Sequence, residues 1–175
     1  MEVPKKVSRS NLKNRIREFL GEEFFYNNIN EIRSAVKDCS SFLDLGCGNN
    51  SPYIKYIHKE EHRATGVDLY ANVSGAYREI VRRDVLEYLR EVPEKAFDAV
   101  LAFDVVEHFE EQVALQLVHE MERVASKTVV IVTPNGFWPG MIDGPGMTHL
   151  CGFTAEDFQE RGYAVLGGAS ISSIS

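Results

Sequence analysis

Hydrophobic residues recur at helical spacing through the first quarter of the chain. Apolar side chains fall on one face of a helix between residues 11 and 26, and Ile29, Ile32 and Val36 continue this spacing after two asparagines. The pattern predicts two N-terminal helices ahead of the main fold.

From residue 41 onward, short apolar runs alternate with amphipathic stretches. The apolar runs have the length and composition of buried strands, and they are Ser41–Leu45, Ala64–Leu69, Glu79–Arg83, Phe97–Phe103 and Lys127–Thr133, followed later by Tyr163–Leu166. Helices are predicted from Pro52, over Val85–Glu91, over Glu110–Ala125 and from Thr154 to Gly162. Ser51 and Thr154 are typical N-cap residues for two of them.

This alternation defines the fold class. Apolar, non-alternating strands separated by helices indicate parallel pairing, because each crossover returns along the sheet as a helix. The sequence therefore predicts an α/β fold with a doubly wound, mostly parallel sheet and helices on both faces. In such sheets, ligands bind beyond the carboxyl ends of the strands.

Composition narrows the class of protein without changing this picture. A chain of 175 residues with 44% hydrophobic and 26% charged residues is typical of one globular domain. The N-terminus lacks the apolar core of a signal peptide, and no apolar run approaches the length of a membrane helix. We therefore expect a soluble, cytoplasmic protein with no membrane contact.

Charge and cysteine content exclude further classes. The net charge of −7 disfavours broad nucleic-acid binding, although residues 5–17 carry six basic side chains that form either a basic arm or a solvated helix face. Cys39, Cys47 and Cys151 lack the close spacing of a zinc site or redox pair. We assign no metal site from the sequence.

Two loops after predicted strands carry candidate chemistry. Gly46 and Gly48 follow the first strand and let a ligand approach the backbone closely, although a plain strand-to-helix turn has the same composition. Asp68 ends the second strand, where a carboxylate can accept from both ribose hydroxyls or serve as a helix cap. The two loops together favour a nucleoside site.

The residues around this loop separate the possible nucleosides. A dinucleotide site usually has a third glycine, but the corresponding position here is Ser51. Asp44 precedes the glycines, and an anionic neighbour disfavours phosphate while favouring an ammonium or sulfonium group. A nicotinamide-linked oxidoreductase is therefore the weaker alternative.

Four ordered motifs resemble those of class I S-adenosylmethionine-dependent methyltransferases, in particular the small type-11-like group with a D-x-x-E-H segment. The motifs are Phe42–Gly48, Gly66–Leu69, Arg83–Val85 and Phe97–His108. The resemblance extends over Phe42–Tyr163, about 70% of the chain. It implies a Rossmann-like core over residues 42–175, with residues 1–41 forming helices that cap the cofactor and acceptor side.

The resemblance also implies roles at the cofactor, S-adenosyl-L-methionine. Its amino-acid end would contact Gly46, Cys47 and Gly48, with Asp44 reaching the ammonium group directly or through water. Asp68 would hold the ribose and Leu69 the adenine. Asp84 would accept from the adenine amino group, and the Val85 N–H would donate to a ring nitrogen. Main chain at Ala102 and Phe103, together with Asp104, would close the methionine end.

Two histidines are candidate catalytic residues. His108 follows the fourth strand, and His149 lies in a segment similar to the family's H-L-x-x-(F/W)-(T/S) element. Either one takes a proton or contacts the acceptor, or it only anchors its loop. Phe137 and Trp138 either line an apolar acceptor pocket or pack within a lid.

The C-terminus departs from the family's seven-stranded sheet. Residues 169–175 form either an abbreviated last strand or part of a shortened sheet whose edge needs a homo- or hetero-oligomeric partner. The sequence predicts a methyltransferase for an unidentified, small-molecule acceptor. The alternative from another class is a non-catalytic or partner-dependent protein that retains the fold.

Overall fold

A computed structural model describes residues 29–49, 52–57, 59, 62–71, 77–139, 146–166 and 169–173. The predicted helix over residues 11–26, the basic segment 5–17 and the Ser51 cap lie outside this part of the chain. Helix α1 covers residues 29–35. Ile29, Ile32 and Val36 are all buried, as their spacing predicts.

Seven strands of the described residues form one sheet. They are β1 (Ser41–Leu45), β2 (Arg63–Val67), β3 (Glu79–Val81), β4 (Phe97–Phe103), β5 (Ala125–Val132), β6 (Ala164–Leu166) and β7 (Ala169–Ser173). Their order is β3-β2-β1-β4-β5-β7-β6. The pairs among β1 to β5 are parallel, whereas β7 is antiparallel to both of its neighbours.

The C-terminal segment is thus an abbreviated last strand, which confirms the first of the two alternatives drawn from the sequence. Strand β7 lies between β5 and β6, with Val130 opposite Ile171. The edge strand on this side of the sheet is β6, which has only three residues. A strand this short offers little unpaired backbone to another chain, and an oligomer at this edge stays a prediction.

Five helices and one 3₁₀ turn accompany the strands in the part of the chain that the structure describes. Beyond α1, they are α2 (Pro52–Ile57), α3 (Val85–Glu91), the turn Val106–His108, α4 (Glu111–Val124) and α5 (Ala155–Glu160). Thr154 caps α5 in a capping box with Asp157, as the sequence predicts. In α4, Leu117, Met121 and Val124 are fully buried and form the predicted apolar stripe.

Both faces of the sheet are covered, which confirms the predicted α/β class. Alternate strand residues such as Leu43 and Val100 pack with α3, α4 and α5 on one face. Their neighbours Phe42 and Leu101 pack with α1 and α2 on the other. The strand order reverses between β1 and β4, so the carboxyl ends of these strands open into a crevice.

Some predicted boundaries were wrong by one to two residues. Strand β2 ends at Val67 because Asp68 accepts hydrogen bonds from the backbone of Tyr70 and Ala71 and turns the chain. Strand β3 ends at Val81, and β5 begins directly after α4. None of the helices in the described residues is long and apolar enough to cross a membrane.

Candidate cofactor and acceptor site

A cleft of about 720 Å³ lies at the carboxyl ends of the strands. Its walls come from the loops after β1, β2, β3, β4 and β5, together with residues 146–149. This volume lies within the range of small-molecule and cofactor sites. The predicted residues that line it are Gly46, Gly48, Asp68, Leu69, Asp84, Val85, Asp104, His108 and His149.

The loop after β1 requires its glycines for two different reasons. Gly46 has a φ of +64°, and a Cβ there would lie 2.5 Å from Cγ2 of Val105. Gly48 has a φ of +56° but open space around the missing Cβ. The loop therefore combines left-handed backbone with a close approach to the chain beyond β4, and leaves main chain facing the cleft.

Asp68 connects two of the cleft's loops. Its Oδ2 accepts from the Gly48 N–H at 3.0 Å, and its Oδ1 accepts from the N–H groups of Tyr70 and Ala71 at 2.6 and 2.8 Å. A carboxylate has about four acceptor positions. Described residues use three of them, which leaves one position on Oδ2 for a donor in the cleft.

Asp84 both caps a helix and faces the cleft. Its Oδ1 accepts from the N–H groups of Leu86 and Glu87 at 2.9 and 3.0 Å, which fixes the start of α3. The second oxygen, Oδ2, has no hydrogen bond to any residue in the described part of the chain. The adjacent Leu69 is 53% exposed and offers an apolar surface at the cleft mouth.

The structure does not bring three of the predicted cofactor residues to the cleft surface. The side chain of Asp44 is 1% exposed and accepts a hydrogen bond from the Tyr77 hydroxyl. Cys47 is buried, and burial together with Asp44 and Asp68 raises its pKa to about 12. Phe103 packs into the core beside β5. A direct ammonium contact from Asp44 is therefore not part of this arrangement.

Asp104 lies at the end of the cleft opposite Leu69 and Asp84, and its backbone is strained. Its φ is +53°, a left-handed conformation in which non-glycine residues are uncommon, and its N–H donates to the Val132 carbonyl at 2.8 Å. The surrounding protein desolvates the carboxyl group and raises its pKa, while His108 and His149 act in the opposite direction. Such strained positions often lie at functional sites.

Glu107 is a buried carboxyl group to which sequence reasoning gave no role. Its side chain is 1% exposed, and Oε2 accepts from the Thr133 hydroxyl at 3.1 Å. Oε1 is buried without a hydrogen-bond partner among the described residues. Burial, with a smaller contribution from Asp104, raises the pKa of Glu107 to about 7. The only sequence signal was its place in the D-x-x-E-H segment.

The two predicted histidines lie together beside Glu107. The rings of His108 and His149 meet edge to face with centroids 4.9 Å apart. Nδ1 of His108 lies 3.1 Å from the Thr148 carbonyl, and Nδ1 of His149 lies 2.6 Å from the Trp138 carbonyl. A carbonyl only accepts, so each Nδ1 carries a proton, and this tautomer has its lone pair at Nε2.

Backbone hydrogen bonds hold the two histidine segments together. The Glu107 carbonyl accepts from the N–H groups of Leu150 at 2.7 Å and Cys151 at 3.3 Å. Trp138 lines the cleft and is 58% exposed, whereas Phe137 is exposed but does not line it. The loop after β5 and the turn after β4 thus form one wall, assembled across about forty residues of sequence.

Fold and site together define a Rossmann-like α/β domain with a nucleoside-type crevice. Comparison of the chain with models of known protein families identifies its family. The model of the methyltransferase domain family matches residues 43–133, just over half of the chain. The chain therefore belongs to this methyltransferase family. A search of curated protein sequences found no significant match.

Solved structures of low sequence identity share the fold. A SAM-dependent methyltransferase from Archaeoglobus fulgidus is 23% identical, with a TM-score of 0.57 over 84% of this chain and 74% of that one. The 1,6-didemethyltoxoflavin-N1-methyltransferase of Burkholderia thailandensis, solved with S-adenosylhomocysteine, is 15% identical, with a TM-score of 0.61 over 100% and 93%. Magnesium protoporphyrin IX methyltransferase from Synechocystis, solved with SAM, is 14% identical, with a TM-score of 0.58 over 99% and 87%.

Proposed function

We propose that this protein transfers the methyl group of S-adenosylmethionine to a small-molecule acceptor. One observation carries the proposal: a single cleft joins a glycine and carboxylate wall at one end to two histidines with free Nε2 lone pairs at the other. Membership of the methyltransferase family supports the reaction class. The two ends supply the two functions that methyl transfer needs, which are cofactor binding and acceptor alignment.

The residues at the first end fit the cofactor. Bare main chain at Gly46 and Gly48 suits the methionine portion, and the remaining acceptor position on Asp68 suits a ribose hydroxyl. Oδ2 of Asp84 is the acceptor for the adenine amino group, and Leu69 packs on the ring. The backbone of Cys47 and Phe103 contacts the methionine portion of the cofactor, and the Val85 N–H donates to a ring nitrogen of the adenine. Asp44 lies behind the loop, where it accepts a hydrogen bond from the Tyr77 hydroxyl.

When bound, S-adenosylmethionine supplies a methyl group that its positive sulfur has already activated. The protein's own residues need to align the acceptor with it at about 3–3.5 Å and to exclude water. Asp104 closes the methionine end, where its carboxyl group faces the cationic region. His149 and His108 face the acceptor, and an Nε2 lone pair takes a proton if the nucleophile carries one.

Three observations favour a small-molecule acceptor. Exposed apolar side chains, Trp138 and Met147 among them, line this end of the cleft and suit a compact apolar or aromatic group. The net charge of −7 weighs against a nucleic acid. Two of the structural neighbours are named for small-molecule acceptors, 1,6-didemethyltoxoflavin and magnesium protoporphyrin IX.

Methyl transfer from labelled S-adenosylmethionine to a metabolite library tests the proposal. We expect one class of small molecule to be methylated, and we expect His149→Ala to lower turnover at least about tenfold with cofactor affinity unchanged. His119→Ala, on the exposed face of α4, is the matched control and should turn over normally. Equal rates in His149→Ala and the control would reduce His149 to a loop anchor, and absence of any transfer would oppose the proposed activity.

A further inference from the structure

The acceptor end of the cleft holds three metal-ligating side chains. Glu107, His108 and His149 each offer one ligand atom, and these atoms lie within 4.8 Å of one another. Two imidazoles and one carboxylate form the ligand set of many catalytic zinc and iron sites. The sequence did not indicate this set, because His149 is about forty residues from the other two.

The hydrogen bonds of the two rings are those of metal ligands. Each Nδ1 donates to a backbone carbonyl, of Thr148 for His108 and of Trp138 for His149. This arrangement fixes the ring orientation and selects the tautomer with a free Nε2 lone pair. Histidines that bind metals almost always have such a carbonyl or carboxylate partner.

Glu107 supplies a second, independent observation. Its side chain is 99% buried, lines the cleft and leaves Oε1 without a hydrogen-bond partner in the described part of the chain. A buried oxygen with no partner is destabilising unless a ligand satisfies it. Its other oxygen is fixed by Thr133, as expected for a ligating carboxylate.

We propose that Glu107, His108 and His149 bind one divalent transition-metal ion of the zinc type, with an open coordination position facing the acceptor. Nε2 of each histidine and Oε1 of Glu107 are the ligand atoms. Bonds of about 2.0–2.2 Å place tetrahedral zinc ligands roughly 3.3–3.6 Å apart. Small shifts of the two half-buried rings that keep both Nδ1 hydrogen bonds close the remaining distance.

The chemistry of the site selects the ion and suggests its use. Imidazole nitrogen favours zinc, cobalt, nickel or iron over magnesium, which prefers oxygen ligands. An ion in this position would bind an acceptor through an oxygen atom and orient it in the cleft. This use rests on the proposed methyl transfer, whereas metal binding itself does not depend on it.

Titration of the tag-free protein with Zn²⁺ by calorimetry, without cofactor, tests the site. We expect one ion per chain, with affinity at least about tenfold lower in His108→Ala, His149→Ala and Glu107→Gln and unchanged in His119→Ala. Mg²⁺ should bind far more weakly than Zn²⁺. Equal Zn²⁺ affinity in wild type and His149→Ala, or no binding by wild type, would overturn the proposal.

A measurement on the wild-type protein covers the case in which a variant fails to fold. Nitrogen NMR should show both rings as Nδ1–H tautomers before metal is added, and Zn²⁺ should shift Nε2 of His108 and His149 alone. Shifts at His119 instead would contradict the assignment. Cofactor binding and turnover that persist after a chelator removes the metal would leave the proposed function intact while refuting a role for the metal in it.

Discussion

Asp84 has two physical roles, one in helix capping and one at the cleft, and each of its two carboxylate oxygens serves one of them. Its Oδ1 caps α3, while Oδ2 faces the cleft. Asparagine caps a helix about as well as aspartate. With its one carbonyl oxygen held by the cap, it would present an N–H₂ group to the adenine amino group in place of an acceptor.

Asp84→Asn should therefore weaken S-adenosylmethionine binding at least about tenfold, or about 1.4 kcal/mol, while changing the unfolding free energy by less than about 0.5 kcal/mol. Calorimetry and thermal unfolding measure the two quantities. Glu87→Gln, an exposed change in the same helix turn, should alter neither. Normal affinity in Asp84→Asn would remove this residue from the adenine site.

Among single residues, the sequence predicted the cleft residues that directly follow strands. It did not predict the contacts of residues whose partners are distant in the sequence. Gly46, Asp68 and Asp84 line the cleft because strand ends converge there in any parallel sheet. The pairing of Asp44 with Tyr77 spans 33 positions, and no local pattern encodes it. The role of Glu107 likewise appears only when β5 brings Thr133 beside it.

At the scale of elements, the loop after β5 is held at its base by tight backbone contacts. Asn135 forms a bridge with Phe153, and the Gly136 N–H donates to the Phe153 carbonyl at 2.7 Å. Gly152 lies so close to this strand-like pair that a Cβ would meet the Phe137 backbone at 2.3 Å. Backbone atoms cannot yield as a flexible side chain does, so the loop's position depends on this glycine.

Gly152→Ala should displace the loop that carries His149 and lower turnover at least about tenfold, with a smaller effect on cofactor affinity. Gly162→Ala is the matched control, since its φ of +88° makes it costly by about 1–2 kcal/mol but it lies beyond α5, away from the cleft. The measurements are turnover and chemical unfolding. If both variants lost stability but kept full turnover, the loop would not position His149.

At the amino-terminal ends of the strands, opposite the cleft, Asp98 connects three neighbouring strands. Its Oδ2 accepts from the N–H and hydroxyl of Ser40 at 2.8 and 3.0 Å, and Oδ1 lies 3.2 Å from the Lys127 ammonium. Burial alone would raise the pKa of Asp98, but these hydrogen bonds and Lys127 outweigh it and hold the pKa at about 2. One carboxylate thus links the starts of β1, β4 and β5.

Because the folded pKa of Asp98 lies below its unfolded value near 3.9, its contribution is present above that pH and is lost as pH falls toward 2. Asp98→Asn should lower the unfolding free energy at pH 7 by about 2 kcal/mol and flatten its dependence between about pH 4 and 2. Urea unfolding across this range measures it. Asp157→Asn, in the exposed cap of α5, serves as the comparison, and parallel pH curves for wild type and Asp98→Asn would contradict the account.

The elements themselves were largely predictable because buried parallel strands are apolar and helices are amphipathic. Bounds of α3 and β4 agree with the sequence prediction. Strand β7 could not be decided from the sequence, since three of its five residues are serine and Ile171 is its one β-branched residue. Backbone pairing to both β5 and β6 fixes it. Boundaries set by side-chain-to-backbone turns, such as the end of β2, also escaped local patterns.

At the scale of the whole molecule, one crevice follows from the reversal of strand order between β1 and β4. In the proposed function, the loop after β1 lies on the cofactor side, and the turn after β4 joins the segment after β5 on the acceptor side. The overall class was predictable from the alternation of elements, while the acceptor was not, because loops from distant parts of the chain form its wall. Helix α1 is the second of the two predicted N-terminal helices, whereas the first, over residues 11–26, lies outside the described residues.

Calorimetric titration of the full chain with S-adenosylmethionine, and separately with NAD, tests the central claim most directly. We predict one S-adenosylmethionine site per chain and no NAD binding, since the loop after β1 has only two glycines facing the cleft and Asp44 behind them. NAD binding, or no heat with S-adenosylmethionine at concentrations that saturate comparable cofactor sites, would contradict it.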